Sequence, residues 1–178
     1  MPITPFHLIA IAPLKAIAPR KFSLSVFALT NIVIDLEPIT LFLITLNPQH
    51  LFFHTIIGAT LIAILAATFG KRLCELAVGI WNEEANGSKR DSWSVEDLRI
   101  SKTAAWSGAL IGAYSHLLLD SFMHDDIKPL SPFTDKNILL GTVDLSYLHT
   151  ACIISALVGL LLFWLLKPKS RTKYDVWR

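Results

Sequence analysis

The sequence predicts an all-α protein, a polytopic membrane helical bundle of four to five spans that forms a single membrane-embedded domain over residues 1–178. Two observations predict this fold class. The chain is 53% hydrophobic and only 17% charged, whereas about a quarter of the residues in a soluble domain are charged. It also contains four apolar runs of 19 to 25 residues, and a helix needs about 20 apolar residues to cross the hydrocarbon core of a bilayer.

The apolar runs give the spans in chain order. They cover residues 22–46, 51–69, 104–122 and 147–166. A fifth run, 3–19, is short and is interrupted by Pro13 and Lys15, so we expect a broken span or a re-entrant segment there. In the third span, Gly108 and Gly112 have the spacing that suits close helix packing in lipid.

Lysine and arginine are distributed unevenly about these spans. Of the 16 basic residues, all but Lys128 and Lys136 fall on one side of the predicted membrane. Because basic residues are enriched in cytoplasmic loops, the sequence predicts a multi-pass protein of the cell inner membrane with a cytoplasmic C-terminus. Residues 70–103 would form a cytoplasmic loop and 167–178 a basic cytoplasmic tail. Since this bias explains the basic residues, and no phosphate-cradling glycine loop is present, nucleic acid is not an expected partner.

Ionisable side chains lie inside the predicted membrane. His116, Asp120 and His124 are four residues apart and therefore line one face of a helix. Other ionisable residues lie towards the same outer side: Asp35, Glu37, His54 and, if the N-terminal run crosses from outside to inside, His7. A charge at the centre of a membrane helix costs at least about 2.5 kcal/mol, so a chain that keeps several on one side is expected to use them.

The chemistry of these side chains favours a metal site. Imidazole and carboxylate ligands together suit Zn²⁺, Mn²⁺ or Fe²⁺, and zinc or manganese is the expected cofactor. The candidates exceed the needs of one ion, which leaves open two ions, or one ion with a general base and supporting partners. Asp35 and Glu37 have a second interpretation, as a proton relay or part of a buried ion pair. His50 is expected to be an interfacial polar residue, and Asp125 and Asp126 to be partly solvated, with one of them a candidate ligand at the helix end.

Several of these residues lie in motifs that resemble a known family. The motifs are Thr4-Pro-Phe-His7, Asn31-Ile-Val-Ile-Asp35-Leu-Glu37-Pro38, Phe53-His54-Thr55 with Gly58, and Ser115-His116-Leu-Leu-Leu-Asp120-Ser-Phe-Met-His124-Asp-Asp126, continuing to Pro129-Leu-Ser-Pro132-Phe133. In this order, over roughly the first three quarters of the chain, they resemble the YdjM-type membrane-bound metal-dependent hydrolases. Two departures are Gln49-His50, where many relatives have His-Arg, and Thr55, where they often have serine.

The resemblance implies a polytopic helical protein of the inner membrane with hydrolase activity. It implies these metal ligands: His7, Asp35, His54, His116 and Asp120. Glu37 and His124 would be a second ligand set or acid/base groups.

Together, the residues and the resemblance predict a membrane-embedded metal-dependent hydrolase that acts on phosphoesters or lipid-derived substrates through a metal-activated water. The candidate catalytic residues are Glu37, His124 and Asp126, with Glu37 or Asp126 as general base. Lys128, in the loop that contains Pro129 and Pro132, could steady a phosphate, and membrane lipid is the expected partner. The alternative is a non-enzymatic ion or proton carrier, or a metal-binding membrane scaffold, in which buried carboxylates relay protons.

Overall fold

The computed structural model describes residues 5–85 and 99–166, and within these ranges the chain forms helices and turns without a β-strand. The helices are α1 (Pro5–Ala10), α2 (Ala12–Ile17), α3 (Leu24–Thr45), α4 (Ile56–Leu65), α5 (Lys71–Ala85), α6 (Lys102–Met123) and α7 (Leu145–Leu165), and a π-helical segment, Ala66–Gly70, joins α4 to α5. The predicted all-α class is confirmed. The predicted tail at 167–178 and residues 86–98 of the predicted loop lie outside the described residues.

Four of the helices, α3, α4, α6 and α7, begin where a short polar side chain caps them. A side-chain oxygen accepts a hydrogen bond from a backbone N–H two or three residues ahead: Ser23 from Val26, Thr55 from Gly58, Ser101 from Ala104, and Asp144 from Ser146. Each cap satisfies one of the N–H groups that the first turn of a helix leaves unpaired. The local sequence therefore sets the start of α3, α4, α6 and α7.

α6 is the central helix of the bundle. α3 and α4 pack on it, and its buried residues are mostly small or polar. A Cβ atom added at Gly108 would lie 2.5 Å from the Ser23 carbonyl oxygen, and one at Gly112 would lie 3.1 Å from the Phe27 carbonyl oxygen. The predicted role of these glycines in close helix packing is confirmed, because α3 and α6 approach each other backbone to backbone.

Among the described residues, three helices are long and apolar enough to cross a membrane: Leu24–Thr45, Ile56–Ile80 and Leu145–Leu165. They correspond to the first, second and fourth predicted runs. The third run is helical as α6, but its glycines, serines and buried ionisable residues make it less apolar than these three. The structure thus gives three apolar candidate spans, and α6 packs against the first two of them.

α7 has a largely exposed apolar surface. The buried residues of this helix are Cys152 and Gly159, whereas Leu160 is 64% and Trp164 is 72% exposed. Soluble monomers rarely leave such a continuous apolar surface in contact with water. The surface of α7 therefore suits contact with lipid.

The second predicted span, residues 51–69, differs from the observed helix at both ends. Residues 51–55 are not helical, because α4 begins only after the Thr55 cap. At its other end the helix continues through the π-helical segment into α5, so the candidate span reaches Ile80 and not residue 69. Part of the predicted 70–103 loop is therefore helical.

The N-terminal segment runs parallel to α7. Phe6 stacks on His149 with ring centroids 4.4 Å apart, and Ala12 lies against Gly159 further along α7. The predicted break in this segment is present at Ile11, which separates two helices of six residues each. α1 therefore lies at the end of the bundle where α7 begins.

Candidate metal centre

Polar side chains from separate parts of the chain meet at this end of the bundle. The connection between α3 and α4 contributes because it folds back along α3: the N–H groups of Leu51 and Phe53 donate to Glu37, which lies well before the end of α3 at Thr45. Eight helical residues correspond to about 12 Å. The fold-back brings the histidines of the connection down to the level of the acidic residues of α3.

Four side chains form the first cluster: Asp35, His54, His116 and Asp120. Each offers one ligand atom, and these atoms lie within 4.8 Å of one another. His116 Nε2 is 3.1 Å from Asp120 Oδ2 and 3.3 Å from Asp35 Oδ1. His54 Nε2 is 3.7 Å from Asp120 Oδ2. Groups at these separations can be ligands of a single ion.

Asn31 fixes the tautomer of His116. Asn31 Nδ2 donates to the Phe27 carbonyl oxygen at 2.8 Å, so the amide oxygen points the other way, 2.9 Å from His116 Nδ1. Because an amide oxygen only accepts, Nδ1 must hold the proton. When the ring is neutral, its lone pair is on Nε2, which faces Asp35 and Asp120.

Glu37 holds His54 in the same way. The carboxylate accepts the backbone N–H of Leu51 at 2.8 Å and that of Phe53 at 3.1 Å, and it lies 3.3 Å from His54 Nδ1. An ionised carboxylate only accepts, so His54 Nδ1 donates and Nε2 keeps its lone pair. That lone pair is directed towards Asp120.

The atoms that face the cluster are acceptors that lack donors. Within the described residues, His54 Nε2, His116 Nε2 and Asp120 Oδ1 are buried and have no hydrogen-bond partner. Buried polar groups are normally hydrogen-bonded, and lone pairs directed at one another repel unless positive charge lies between them. The residues therefore fit a divalent metal ion, for which imidazole and carboxylate are common ligands.

The comparisons with known proteins give a family. A family model described as Domain of unknown function (DUF4184) matches residues 1–177. The chain belongs to the DUF4184 family. No curated protein and no solved structure matched it. Since the description of the DUF4184 family names no activity, the resemblance to YdjM-type hydrolases and the hydrolase activity stay predictions.

A second cluster in this DUF4184 chain shares Asp120 with the first. His50, Asp120 and His124 offer ligand atoms within 4.8 Å of one another. His50 is 5% exposed, and its ring stacks on that of His124 with centroids 4.5 Å apart. The interfacial role expected for His50 is therefore wrong, because the fold-back buries its side chain in the site.

Asp126 holds His50 in place. Its carboxylate accepts the backbone N–H of His50 at 2.8 Å and lies 2.9 Å from His50 Nδ1. Partial burial raises the pKa of Asp126, but the hydrogen bonds from His50 outweigh this effect and bring the pKa below its usual range. The ionised Asp126 therefore keeps the proton of His50 on Nδ1, which leaves the Nε2 lone pair of a neutral ring for a ligand.

His7 approaches the first cluster from α1. Its ring stacks on that of His116 with centroids 4.4 Å apart, and its Nε2 is 3.3 Å from Asp120 Oδ1. Within the described part of the chain, both ring nitrogens of His7 are buried without a hydrogen-bond partner. Asp120 thus faces His7 with one oxygen, and the two histidines of the first cluster, His54 and His116, with the other.

A cavity of about 140 Å³ opens beside His7 and His124, between α1, α6 and α7. Its other lining residues are Phe6, Leu119, Met123, Leu145, Leu148, His149 and Cys152. Most of these side chains are apolar. The candidate centre therefore faces a space that is polar at one wall and hydrocarbon-like elsewhere.

The structure brings the five predicted metal ligands to this centre: His7, Asp35, His54, His116 and Asp120. Of the predicted catalytic residues, His124 lies in the second cluster, whereas Glu37 and Asp126 accept hydrogen bonds from backbone and imidazole N–H groups. The sequence prediction gave no site role to Asn31 or His50. Asn31 lies four residues before Asp35 and so shares its helical face, a signal that could have found it. His50 has no local signal, since its burial depends on the fold-back.

Proposed function

We propose that this chain is a membrane-embedded, metal-dependent hydrolase that acts on phosphoesters of lipid-derived, amphiphilic molecules. The observation that carries the proposal is the convergence of two oriented imidazole lone pairs, from His54 and His116, with the carboxylates of Asp35 and Asp120 at one buried point. Zinc and manganese suit this ligand set. Asp35, His54, His116 and Asp120 would hold the ion.

A bound ion of this kind supplies Lewis acidity, which activates water and polarises a phosphoryl group at neutral pH. The residues of the chain position that chemistry. Asn31 and Glu37 hold the Nε2 atoms of His116 and His54 inward through their Nδ1 atoms. Outer partners of this kind commonly change metal affinity or activity by about 10- to 100-fold when they are removed.

His7 is the residue that we assign to proton transfer. Its Nε2 faces Asp120 Oδ1 at 3.3 Å, and the ring lines the cavity. The nitrogen of a neutral imidazole that carries no proton can accept one from water, and neither ring nitrogen of His7 has a hydrogen-bond partner among the described residues. Glu37 and Asp126, which the sequence favoured as bases, already accept several N–H groups, so we assign them the orientation of His54 and His50.

The cavity supports the choice of an amphiphilic substrate. Its volume of about 140 Å³ is smaller than the roughly 300–1,000 Å³ of a pocket that encloses a whole small-molecule ligand. Its apolar walls at Leu119, Leu145 and Leu148 suit the hydrocarbon next to a headgroup, while His7 and His124 face the headgroup itself. We infer that the rest of the hydrocarbon tail of such a substrate stays in the bilayer.

We also propose that the centre opens on the outer face of the cell inner membrane. Lys128 and Lys136 lie on the connection between α6 and α7, at the end of the bundle that holds the candidate centre. Lys21 and Lys102 lie next to the starts of α3 and α6, at the opposite end. Basic residues prefer the cytoplasmic side. On this proposal α6 and the broken N-terminal segment also cross the bilayer, which gives five crossings and a cytoplasmic C-terminus.

The proposal is tested by hydrolysis assays on detergent-purified protein loaded with zinc or manganese. The substrates are a chromogenic phosphomonoester, a chromogenic phosphodiester and a fluorescent phospholipid in mixed micelles. We expect cleavage of the lipid phosphoester that is lost on chelation and in Asp35→Asn, and is retained in the matched control Asp135→Asn on the exposed loop. Metal-loaded protein that cleaves none of the three substrates would reject the proposal and favour a scaffold or carrier.

A further inference from the structure

We propose that the centre binds two divalent cations, with Asp120 as the bridging carboxylate and with His50 and His124 as the remaining protein ligands of the second ion. This inference rests on the proposed function for the first ion, whose ligands are Asp35, His54, His116 and Asp120. In proteins that activate water with two ions, the ions are about 3.5–4 Å apart and share a ligand. The two clusters have Asp120 in common, so one carboxylate can serve an ion in each.

The two oxygens of Asp120 face different neighbours. Its Oδ2 faces His116 Nε2 at 3.1 Å and His54 Nε2 at 3.7 Å. Its Oδ1 is buried, points away from these two histidines towards His7, and has no hydrogen-bond partner within the described residues. The two oxygens therefore face different groups, as those of a bridging carboxylate do.

His50 is oriented as a ligand, like the histidines of the first cluster. The carboxylate of Asp126 fixes the proton of His50 on Nδ1, so Nε2 carries the lone pair. The ring of His50 is also 4.5 Å from that of His54 and 4.5 Å from that of His124. The ring of His50 therefore contacts a histidine of each cluster.

The charge of the site supports a second cation independently. Four carboxylates converge here: Asp35, Glu37, Asp120 and Asp126. In the ranges that the structure describes, the lysine ion pairs are with Glu75 and Asp135, and none of the four carboxylates is paired with lysine or arginine. Uncompensated charge is costly in a buried site. Two divalent cations carry the positive charge that four carboxylates require.

The experiment measures manganese content by elemental analysis and manganese–manganese coupling by electron paramagnetic resonance, on purified full-length protein equilibrated with Mn²⁺. We expect about two ions per chain with a spin-coupled spectrum in the wild type. His50→Gln and His124→Gln should each retain about one ion and lose the coupling. The control His149→Gln, a histidine outside both clusters, should keep the wild-type metal content and spectrum.

Two results would overturn the second site: one uncoupled ion in the wild type, or two ions that persist in both His50→Gln and His124→Gln. Using two variants protects the test against a folding defect in either one. This failure is distinct from failure of the proposed function. One ion with phospholipid hydrolysis intact rejects only the second site, whereas two coupled ions without hydrolysis reject only the hydrolase.

Discussion

Asn31 shows how one uncharged side chain determines what the site can bind. Its amide donates to the Phe27 carbonyl and accepts from His116 Nδ1, so the lone pair of His116 is directed at two carboxylates. Without this hydrogen bond the imidazole could turn over or take a proton on the other nitrogen. On our proposal, Asn31 therefore supports metal binding without touching the ion.

We predict that Asn31→Ala lowers metal affinity by about 10- to 100-fold, because the orientation and tautomer of His116 are no longer fixed. The affinity is measured by competition with a chromogenic chelator. Asn47→Ala, at an exposed position in the connection after α3, is the matched control and should leave the affinity unchanged. Equal affinities for Asn31→Ala and the wild type would show that the hydrogen bond to His116 has no part in binding.

Glu37→Gln separates an orienting role from a catalytic one. We predict an affinity loss of about tenfold, because an amide replaces the carboxylate that accepts from His54 Nδ1 and from the backbone of the connection. With the metal site saturated, turnover of the phospholipid should then stay close to that of the wild type. A fall in turnover of about 10²-fold or more at saturating metal would instead identify Glu37 as the general base.

The predictability of the site differs from residue to residue. The side chains of α6 could be paired from spacing alone, since residues four apart share a helical face, and His116 and Asp120 do lie together. The role of Glu37 could not be read in this way. It depends on N–H groups of Leu51 and Phe53, which reach Glu37 only because the connection folds back.

At the scale of elements, the contact between α3 and α6 determines whether the site can form. α3 carries Asp35 and α6 carries His116, and the glycines of α6 allow the two backbones to touch. The spacing of Gly108 and Gly112 predicted this contact. It did not predict the partner, because a pair of small residues specifies close approach but not which helix approaches.

We predict that Gly108→Ala destabilises the protein by about 1–3 kcal/mol and weakens metal binding, since the new Cβ would lie 2.5 Å from the Ser23 carbonyl oxygen. Gly70→Ala is the control. Its Cβ would lie 2.7 Å from Leu29 Cδ2, the end of a side chain that can rotate away. The free energy of unfolding in detergent should therefore fall clearly more for Gly108→Ala. Equal effects would contradict the backbone contact.

The ends of elements were predicted less well than their existence. Apolar composition predicted a span that starts at residue 51, but α4 starts at Ile56 because Thr55 caps it and the residues before it bind Glu37. Composition reports how apolar a segment is and not whether its backbone is helical. The N-terminal run was predicted as broken, and Ile11 does separate α1 from α2.

At the scale of the whole molecule, the orientation in the membrane is open to direct test. Lys136 and Lys102 are exposed residues at opposite ends of the bundle, so each is replaced by cysteine in a background where Cys74 and Cys152 are alanine. We predict that a membrane-impermeant maleimide labels Lys136→Cys in intact spheroplasts, and labels Lys102→Cys only after permeabilisation. The opposite pattern would place the metal centre on the cytoplasmic side.

The central claim, that the buried histidines and aspartates hold a divalent ion, is tested most directly by elemental analysis of purified protein after equilibration with zinc or manganese. We predict at least one ion per chain in the wild type and in His149→Gln, and loss of the first-cluster ion in His116→Gln. A folded, monodisperse wild type that retains no ion would contradict the claim. Positive charge between His116 and its two carboxylates would then have to come from a proton on the imidazole.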